Sequence, residues 1–470
     1  MLINRKFLFT LSKRCFCVKT DAKPISICVV GSGPAGFYCC QGLLKNLPAS
    51  NIDIYEKLPV PFGLVRYGVA PDHPEVKNVI NSFSKTASDP RIKFIGNVTL
   101  GKDVSLKDLQ KAYNVVVLAY GADQDVKLGI PGENLDNVIS ARRFVGWYNG
   151  LPSDKDLPIN FNAETVSIFG QGNVAIDVAR ILLKSVDELK KTDITDYSLS
   201  KLAESKIKRV MLIGRRGPLQ VAFSIKELRE VLKLPDIEVR IDESLFEDVK
   251  EALPNLPRPK KRLAELMLKA SSEFKKHEFK KSFQILFLRS PLEICGSNSA
   301  KEVTLGINSL ESLPNVDPHN QKAKLTDVKE SLACELVFRS IGYKSSVADE
   351  DVPFLSKNCI GSTKVLPGVY SAGWVSTGPT GVILSTMTNA FDTVNVIVND
   401  MKNGKIELDK EKHGYDVIKK ILKDKNVVTV DWAGWTKIDE VEMQRGKEHD
   451  KPREKIVDIN EMLKIGGDIN

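Results

Sequence analysis

ISICVVGSGPAGFYCCQGLLKNLPASNIDIYE, residues 25–56, sets the architecture of the chain. Ile25–Val30 is a short apolar, β-branched run, the signature of a strand buried on both faces. Gly31-Ser-Gly33-Pro-Ala35-Gly36 follows at once, then a helical stretch from Phe37 to Leu47. Asn51–Tyr55 forms a second strand that ends in Glu56, twenty residues after Gly36. These parts compose a βαβ unit in which each small residue has a task. Gly31 permits the tight turn, Gly33 lets the backbone approach a pyrophosphate, and Gly36 allows close helix–strand packing. The helix N-terminus supplies free N–H groups to an anion, and Glu56 is placed to accept from ribose hydroxyls.

The unit recurs downstream. Thr165–Phe169 is a strand, Gly170-Gln171-Gly172-Asn173-Val174-Ala175 opens a helix over Ile176–Lys184, and the next strand is Arg209–Ile213. That strand ends in Gly214-Arg215-Arg216-Gly217, with two arginines where the first copy has an acid. A carboxylate would repel a 2′-phosphate, whereas guanidinium groups bind it bidentately, so the second site prefers NADP(H). An acid-ended site followed by an arginine-ended one points to FAD first and NADPH second. The long interval between Ala175 and Arg215 holds a polar stretch, Asp187–Ser205, that reads as an inserted surface segment.

The 470 residues carry a net charge of +8, unevenly placed. Five of those charges sit in the acid-free residues 1–20 and seven in residues 255–290, so the remainder is −4. A basic, acid-free, amphipathic start reads as a mitochondrial presequence. The +7 stretch reads as a docking patch for an acidic partner. Apolar residues make up 42% and charged ones 27%, values that exclude a fibrous or wholly disordered chain. No apolar run reaches the ~18 residues of a spanning helix. The eight cysteines form no C-x-x-C pair, and no zinc or iron–sulfur ligand set is visible. Without a redox dithiol, disulfide-reductase chemistry lacks an internal relay, so electrons leave for an external carrier.

Two small-residue turns, Ala119–Ala122 after the strand Val115–Leu118 and Ser340–Tyr343 after Leu336–Arg339, read as crossings between two domains. Gly368–Trp374 reads as a short strand and turn, and Gly378-Pro-Thr-Gly381-Val382-Ile383 as the start of a helix reaching about Val398. A helix N-terminus near Gly381 would offer N–H groups to a flavin ring. Trp374 is either a core aromatic or a cofactor contact, and its place before the glycine-rich start favours the contact. The expected class is therefore α/β, with two Rossmann-like domains and the NADP domain inserted in the FAD domain. The boundaries are 1–20 presequence, 21–122 FAD domain, 123–335 NADP domain and 336–470 FAD domain again.

On VVGSGPAGFY (29–38), VPFGLVRYGVAPDHPEVKNVI (60–80), GQGNVAIDVARILL (170–183), GRRGPLQVAFSIKELRE (214–230), PRPKKRL (257–263), GPTGVI (378–383) and KPREKIVD (451–458), the chain resembles the mitochondrial NADPH:adrenodoxin (ferredoxin) oxidoreductases, a family with the glutathione-reductase-like flavoprotein fold. The resemblance covers about Ser26 to Leu463. It implies FAD at Ala35, Glu56, Leu64, Leu100, Trp374, Gly381, Val382 and Ile383. It implies NADPH at Gly170 to Val174, Arg215, Arg216 and Glu227. It also implies that Arg258, Lys261 and Arg262 dock an acidic two-iron, two-sulfur ferredoxin in the mitochondrial matrix, at or near the inner membrane. Arg258 and Arg262 are i and i+4, so on a helix they share a face. Ser376-Thr377 stands where relatives carry basic residues.

The expected chemistry is hydride transfer from NADPH to FAD and release of single electrons to the ferredoxin, for haem monooxygenases or iron–sulfur assembly. His73, in the APDHPEV run, and Asp177, one turn into the second helix, are candidates for a hydrogen-bonded network near the flavin, with a structural role as the alternative. No metal site is expected. Two rival classes fit less well. A flavin monooxygenase lacks its F-x-G-x-x-x-H stretch here, and a nucleic-acid module would need more aromatic interleaving in 255–290 than four phenylalanines supply.

Overall fold

The computed structural model describes residues 24–272, 279–311, 317–355, 358–408 and 410–468. The presequence reading and part of the basic stretch (273–278) lie outside the described residues. Among the described residues no helix is long and apolar enough to cross a membrane.

Two main sheets organise the chain. The first has eight strands, ordered Lys364–Leu366, Val369–Ser371, Val115–Leu118, Ile25–Val30, Ser50–Glu56, Ile92–Gly96, Thr429–Val430 and Gly467–Asp468. Its central strands are parallel, and Ile25–Val30 is buried over all but its first residue, as its unbroken apolar run requires. The second sheet has six strands, ordered Val138–Ser140, Leu336–Arg339, Thr165–Phe169, Arg209–Ile213, Lys281–Leu286 and Ile237–Ile241, all parallel. The first sheet therefore takes strands from both ends of the chain and the second from its middle. Leu336–Arg339 pairs in the second sheet, so the return to the first half begins after Arg339 rather than at residue 336. Between the halves, Gln124–Asp125 pairs antiparallel with Tyr343–Lys344, so the outgoing and returning segments run side by side.

Five helices carry or frame the candidate site residues: α1 (Pro34–Asn46), α2 (Asn173–Leu183), α3 (Ile225–Leu232), α4 (Arg258–Ser272) and α5 (Ile383–Lys402). α1 starts at Pro34, three residues earlier than its apolar pattern suggests, because Pro suits the first helical position and Gly33 takes the N-cap. α2 likewise starts three residues early, at Asn173, behind the Gly172 N-cap. α5 starts at Ile383, and a separate short helix, Trp374–Thr377, precedes it between Gly373 and Gly378. Both glycines have positive φ (71° and 79°), which breaks the two helices apart.

Two features differ from expectation. A three-stranded antiparallel sheet, Arg289–Cys295, Glu302–Leu310 and Ala323–Ala333, extends the second half. The polar stretch Asp187–Ser205 is not a free surface insertion. Leu189, Ile194 and Leu202 join the apolar core of the second half, and Asp193 is buried between Lys77 (2.6 Å) and Lys455 (3.0 Å). Lys455 belongs to the C-terminal KPREKIVD run, whose Lys451 meets Asp196 at 2.8 Å. The segment is thus the surface on which first half, second half and C-terminal run are joined by buried ion pairs.

Candidate functional site

The two glycine-rich turns are built alike. Gly31 has φ +108°, and a Cβ there would fall 2.6 Å from the Ala119 carbonyl oxygen; one on Gly36 would fall 2.0 Å from that of Gly31. Those two are small because protein packs on them. Around Gly33 a Cβ would meet no atom of the described residues within 4 Å. Gly33 is the N-cap of α1, and no side chain caps the helix. The second turn repeats the scheme. A Cβ on Gly170 (φ +131°) would fall 2.1 Å from the Ser340 carbonyl oxygen, Ala175 is fully buried, and Gly172, the N-cap of α2, faces open space. Each turn is therefore an uncapped helix N-terminus behind a cradle that a side chain would fill, which fits a pyrophosphate.

Glu56 closes the first turn. Its carboxylate accepts from Ser32 N–H (3.0 Å), the Ser32 hydroxyl (2.7 Å) and Leu58 N–H (3.2 Å), and retains lone pairs for a ribose. The VPFG run folds over the turn: Phe62 N–H donates to Ser32 O (3.0 Å), and a Cβ on Gly63 would lie 3.2 Å from Gly33 Cα. Leu64, next in line, is partly exposed there. Leu100 is buried in an apolar cluster with Val30 and Tyr55 beneath this region. A Cβ on Gly373 would lie 2.5 Å from that of Ala35, so Trp374 begins beside the same turn. Trp374 is not a core aromatic. It is half-buried, stacks on Tyr343 with 5.9 Å between centroids, and its indole N–H has no hydrogen-bond partner among the described residues.

One cavity of about 810 Å³ runs between the halves. The second turn (Gly170 to Val174), Arg215 and Arg216 line one side; Tyr343, Trp374, Gly381 and Val382 line the other. Residues expected at the nucleotide and at the flavin edge thus share one space. Arg215 and Arg216 are both exposed. Ile383, a step beyond Val382, opens α5 with no side-chain cap. Arg142 also lines the cavity and gives no signal in the sequence, because it stands in a helix that carries no motif. Ser376 and Thr377 lie outside the lining; the Thr377 hydroxyl is spent on its own loop, donating to Gly378 O at 3.1 Å.

His73, Asp177 and Glu227 come together, but in a buried ionic seam rather than in the cavity lining. Nε2 of His73 lies 3.0 Å from Glu230, 3.5 Å from Glu227 and 3.9 Å from Asp177. Glu227, expected at NADPH, faces this seam because α3 turns its carboxylate towards Arg180 (3.1 Å). Arg180 also grips Asp177 (2.8 Å) and Asp72 (2.8 Å). The carboxylate and imidazole atoms of His73, Asp177 and Glu227 are close enough to hold a cation, and the Arg180 guanidinium is the cation seated among them. Burial opposes charge on His73, but the Glu227, Asp72 and Glu230 carboxylates outweigh it and raise the imidazole pKa. Burial lifts the Asp177 carboxyl to about 7, with Arg180 opposing and Glu227 adding to the rise. For Asp72 burial pulls upward too, but Arg180 and Lys184 hold it down at about 2. Neither Arg180 nor Asp72 is singled out by the sequence: Arg180 lies one turn beyond Asp177, a spacing that could have marked it, whereas Asp72 meets it across 108 residues.

On α4, Arg258 and Arg262 are exposed and share a face, Lys261 is half-buried, and Ala264 and Met267 anchor the helix.

Residues 25–245 match the family model described as pyridine nucleotide-disulphide oxidoreductase. A Drosophila melanogaster protein named mitochondrial NADPH:adrenodoxin oxidoreductase is 47% identical, covering 99% of this chain and 98% of its own length. The chain belongs to the mitochondrial NADPH:adrenodoxin oxidoreductase family. The Homo sapiens member of that name is 46% identical over 96% of this chain and 94% of its own. A solved structure of Mycobacterium tuberculosis FprA in complex with NADPH superposes with a TM-score of 0.89 at 36% identity, covering 94% of this chain and 99% of that one. Family membership makes the chain an oxidoreductase with FAD and NADPH as its cofactors. The family members named here are mitochondrial.

Proposed function

We propose that the chain takes hydride from NADPH and passes single electrons to an acidic, adrenodoxin-like two-iron, two-sulfur ferredoxin in the mitochondrial matrix. The observation that carries this reading is the single cavity in which the phosphate-selecting arginines and the Trp374–Val382 edge face one another. Bound FAD supplies the conversion between a two-electron donor and a one-electron acceptor. The chain's own residues bind and orient. Gly33 and the N-terminus of α1, with Glu56, hold the flavin nucleotide; Gly172 and the N-terminus of α2, with Arg215 and Arg216, hold NADPH. Trp374 and Tyr343 form the stacked wall that excludes water between them. The halves divide the labour: the segment from the first crossing through Arg339 holds NADP(H), and the flanks on either side hold FAD. The His73–Asp177–Glu227 seam ties α2 and α3 to the loop after Tyr67 and so fixes how the two halves face.

Arg258, Lys261 and Arg262 dock the ferredoxin. Charge steering raises the encounter rate and weakens with ionic strength. Arg258→Glu with Arg262→Glu tests this. The variant is expected to lose salt-sensitive cytochrome c reduction through ferredoxin and to keep ferricyanide reduction. Retention of ferredoxin-coupled activity contradicts the docking assignment; loss of both activities shows a damaged flavin site.

A further inference from the structure

The two arginines that select the 2′-phosphate stand on a loop, Gly214–Gly217, with no side-chain anchor of their own within it. Backbone bonds lace this loop to the start of the three-stranded sheet: Leu288 N–H donates to Arg216 O (3.1 Å) and Arg289 N–H to Gly214 O (3.0 Å). The carbonyl of Arg215, between them, is held by one side chain. Asn308 Nδ2 donates to Arg215 O at 2.9 Å, from the middle strand of that sheet and 93 residues away. Asn308 is 5% exposed. Its carboxamide also meets the Ser290 hydroxyl (2.9 and 3.2 Å), and its own N–H donates to Leu288 O (2.8 Å). Ser290 lines the cavity next to Arg215 and Arg216. The strand pairing is irregular between Gly306 and Asn308, and that irregularity sits where the carboxamide meets the arginine loop.

A buried asparagine bonded to a carbonyl on a separate loop is specific in a way that a surface residue is not. If only packing were needed, an apolar residue would serve without the cost of burying an amide. Gln220 O accepts from Arg216 Nη1 at 3.4 Å, a long and therefore weak contact. The Arg215 peptide is thus the fixed point from which both guanidinium groups project. We infer that Asn308 is a positioning residue for the 2′-phosphate: it locks the Arg215 peptide and Ser290, and so determines selectivity for NADP(H) over NAD(H) without touching the nucleotide. The three-stranded sheet is then the support of the selectivity loop.

The role of Asn308 rests on the assignment of Arg215 and Arg216 to the phosphate, and the experiment separates the two. Asn308→Leu removes the donor at similar volume, and Asn308→Ser shortens it out of reach while keeping a small polar side chain. In the flavin-loaded protein, KM for NADPH is expected to rise about ten-fold, the loss of one hydrogen bond's worth of organisation, with kcat at saturation unchanged. KM for NADH is expected to stay within about two-fold, because the lost element serves only the 2′-phosphate. Calorimetric Kd values for adenosine 2′-monophosphate and adenosine 5′-monophosphate give the same split without turnover: only the first weakens. If Asn308→Leu does not retain flavin, Asn308→Ser decides. Equal losses for both nucleotides, or no loss for either, overturn the inference. Arg215→Ala with Arg216→Ala is run alongside. If that pair spares discrimination, the phosphate assignment itself fails; if it abolishes discrimination while the Asn308 variants do not, only the role of Asn308 fails.

Discussion

Gly170 and Gly172 lie two residues apart in one motif, yet the structure assigns them opposite sensitivities. A methyl on Gly170 would fall 2.1 Å from the Ser340 carbonyl oxygen at a φ of +131°, so backbone must shift. Gly170→Ala is expected to cost about 3 kcal/mol of stability from strain and overlap together. Gly172 has φ −105° and ψ 176°, which alanine adopts freely, and its Cβ would meet no atom within 4 Å. Gly172→Ala is expected to cost roughly 0.5–1 kcal/mol, the difference between Gly and Ala at an N-cap. Its methyl would occupy the space that a pyrophosphate needs to reach the α2 N–H groups. Losing those charge-assisted bonds amounts to about 2–3 kcal/mol, or roughly a 30- to 150-fold rise in KM for NADPH. Thermal melting of the flavin-loaded protein and steady-state ferricyanide reduction measure the two quantities separately. A Gly172→Ala protein whose KM stays within two-fold of the wild type would refute the reasoning, because the Gly172 turn would then not be where the nucleotide binds.

Asp193→Asn leaves Lys77 and Lys455 buried without a counter-charge, and is expected to destabilise by about 3–5 kcal/mol; chemical denaturation measures it, and a change below about 1 kcal/mol would show that the two lysines do not depend on the Asp193 charge. Asp72, held at about 2 by Arg180 and Lys184 against burial, has a folded pKa below its ordinary value, so its stabilisation is present above about pH 4 and lost as pH falls towards 2. Asp72→Asn is therefore expected to flatten the acid limb of the stability curve by about 2 kcal/mol, and melting curves between pH 5 and pH 2 on both proteins check it. His73, whose pKa is raised, works in the other direction: its contribution is present below its ordinary pKa near 6.5 and lost as pH rises through the folded value, so His73→Gln is expected to flatten the neutral limb, read from melting curves on either side of neutrality.

Much of the fold is legible in the sequence because the parallel strands are short apolar runs with glycines at fixed offsets. Ile25–Val30, Thr165–Phe169 and Arg209–Ile213 have the same limits in sequence and structure. Apolar patterning places the helix starts late because Pro34 and Asn173 are not apolar, although Pro after a glycine cap is itself a start signal. The three-stranded sheet is not legible. Its outer strand, Ala323–Ala333, is largely solvent-facing and polar, so no apolar run announces it. Asp187–Ser205 misleads for a related reason: its polarity suggests solvent, whereas the structure spends Asp193 and Asp196 on lysines from the C-terminal run. Within the site, the glycine turns and the paired arginines are set by local spacing and so are recoverable. Asn308 against Arg215 and Asp72 against Arg180 are not, since each contact joins segments about a hundred residues apart.

Electrons are expected to pass from NADPH through FAD to a ferredoxin by way of one cleft. Anaerobic stopped-flow mixing tests it most directly, with flavin absorbance followed after addition of NADPH or NADH and oxidised two-iron, two-sulfur ferredoxin added second. Rapid bleaching by NADPH, much slower bleaching by NADH, and recovery of the flavin band in step with ferredoxin reduction are the expected results. Equal rates with the two nucleotides, or a bleached flavin that ferredoxin leaves unchanged, would contradict it.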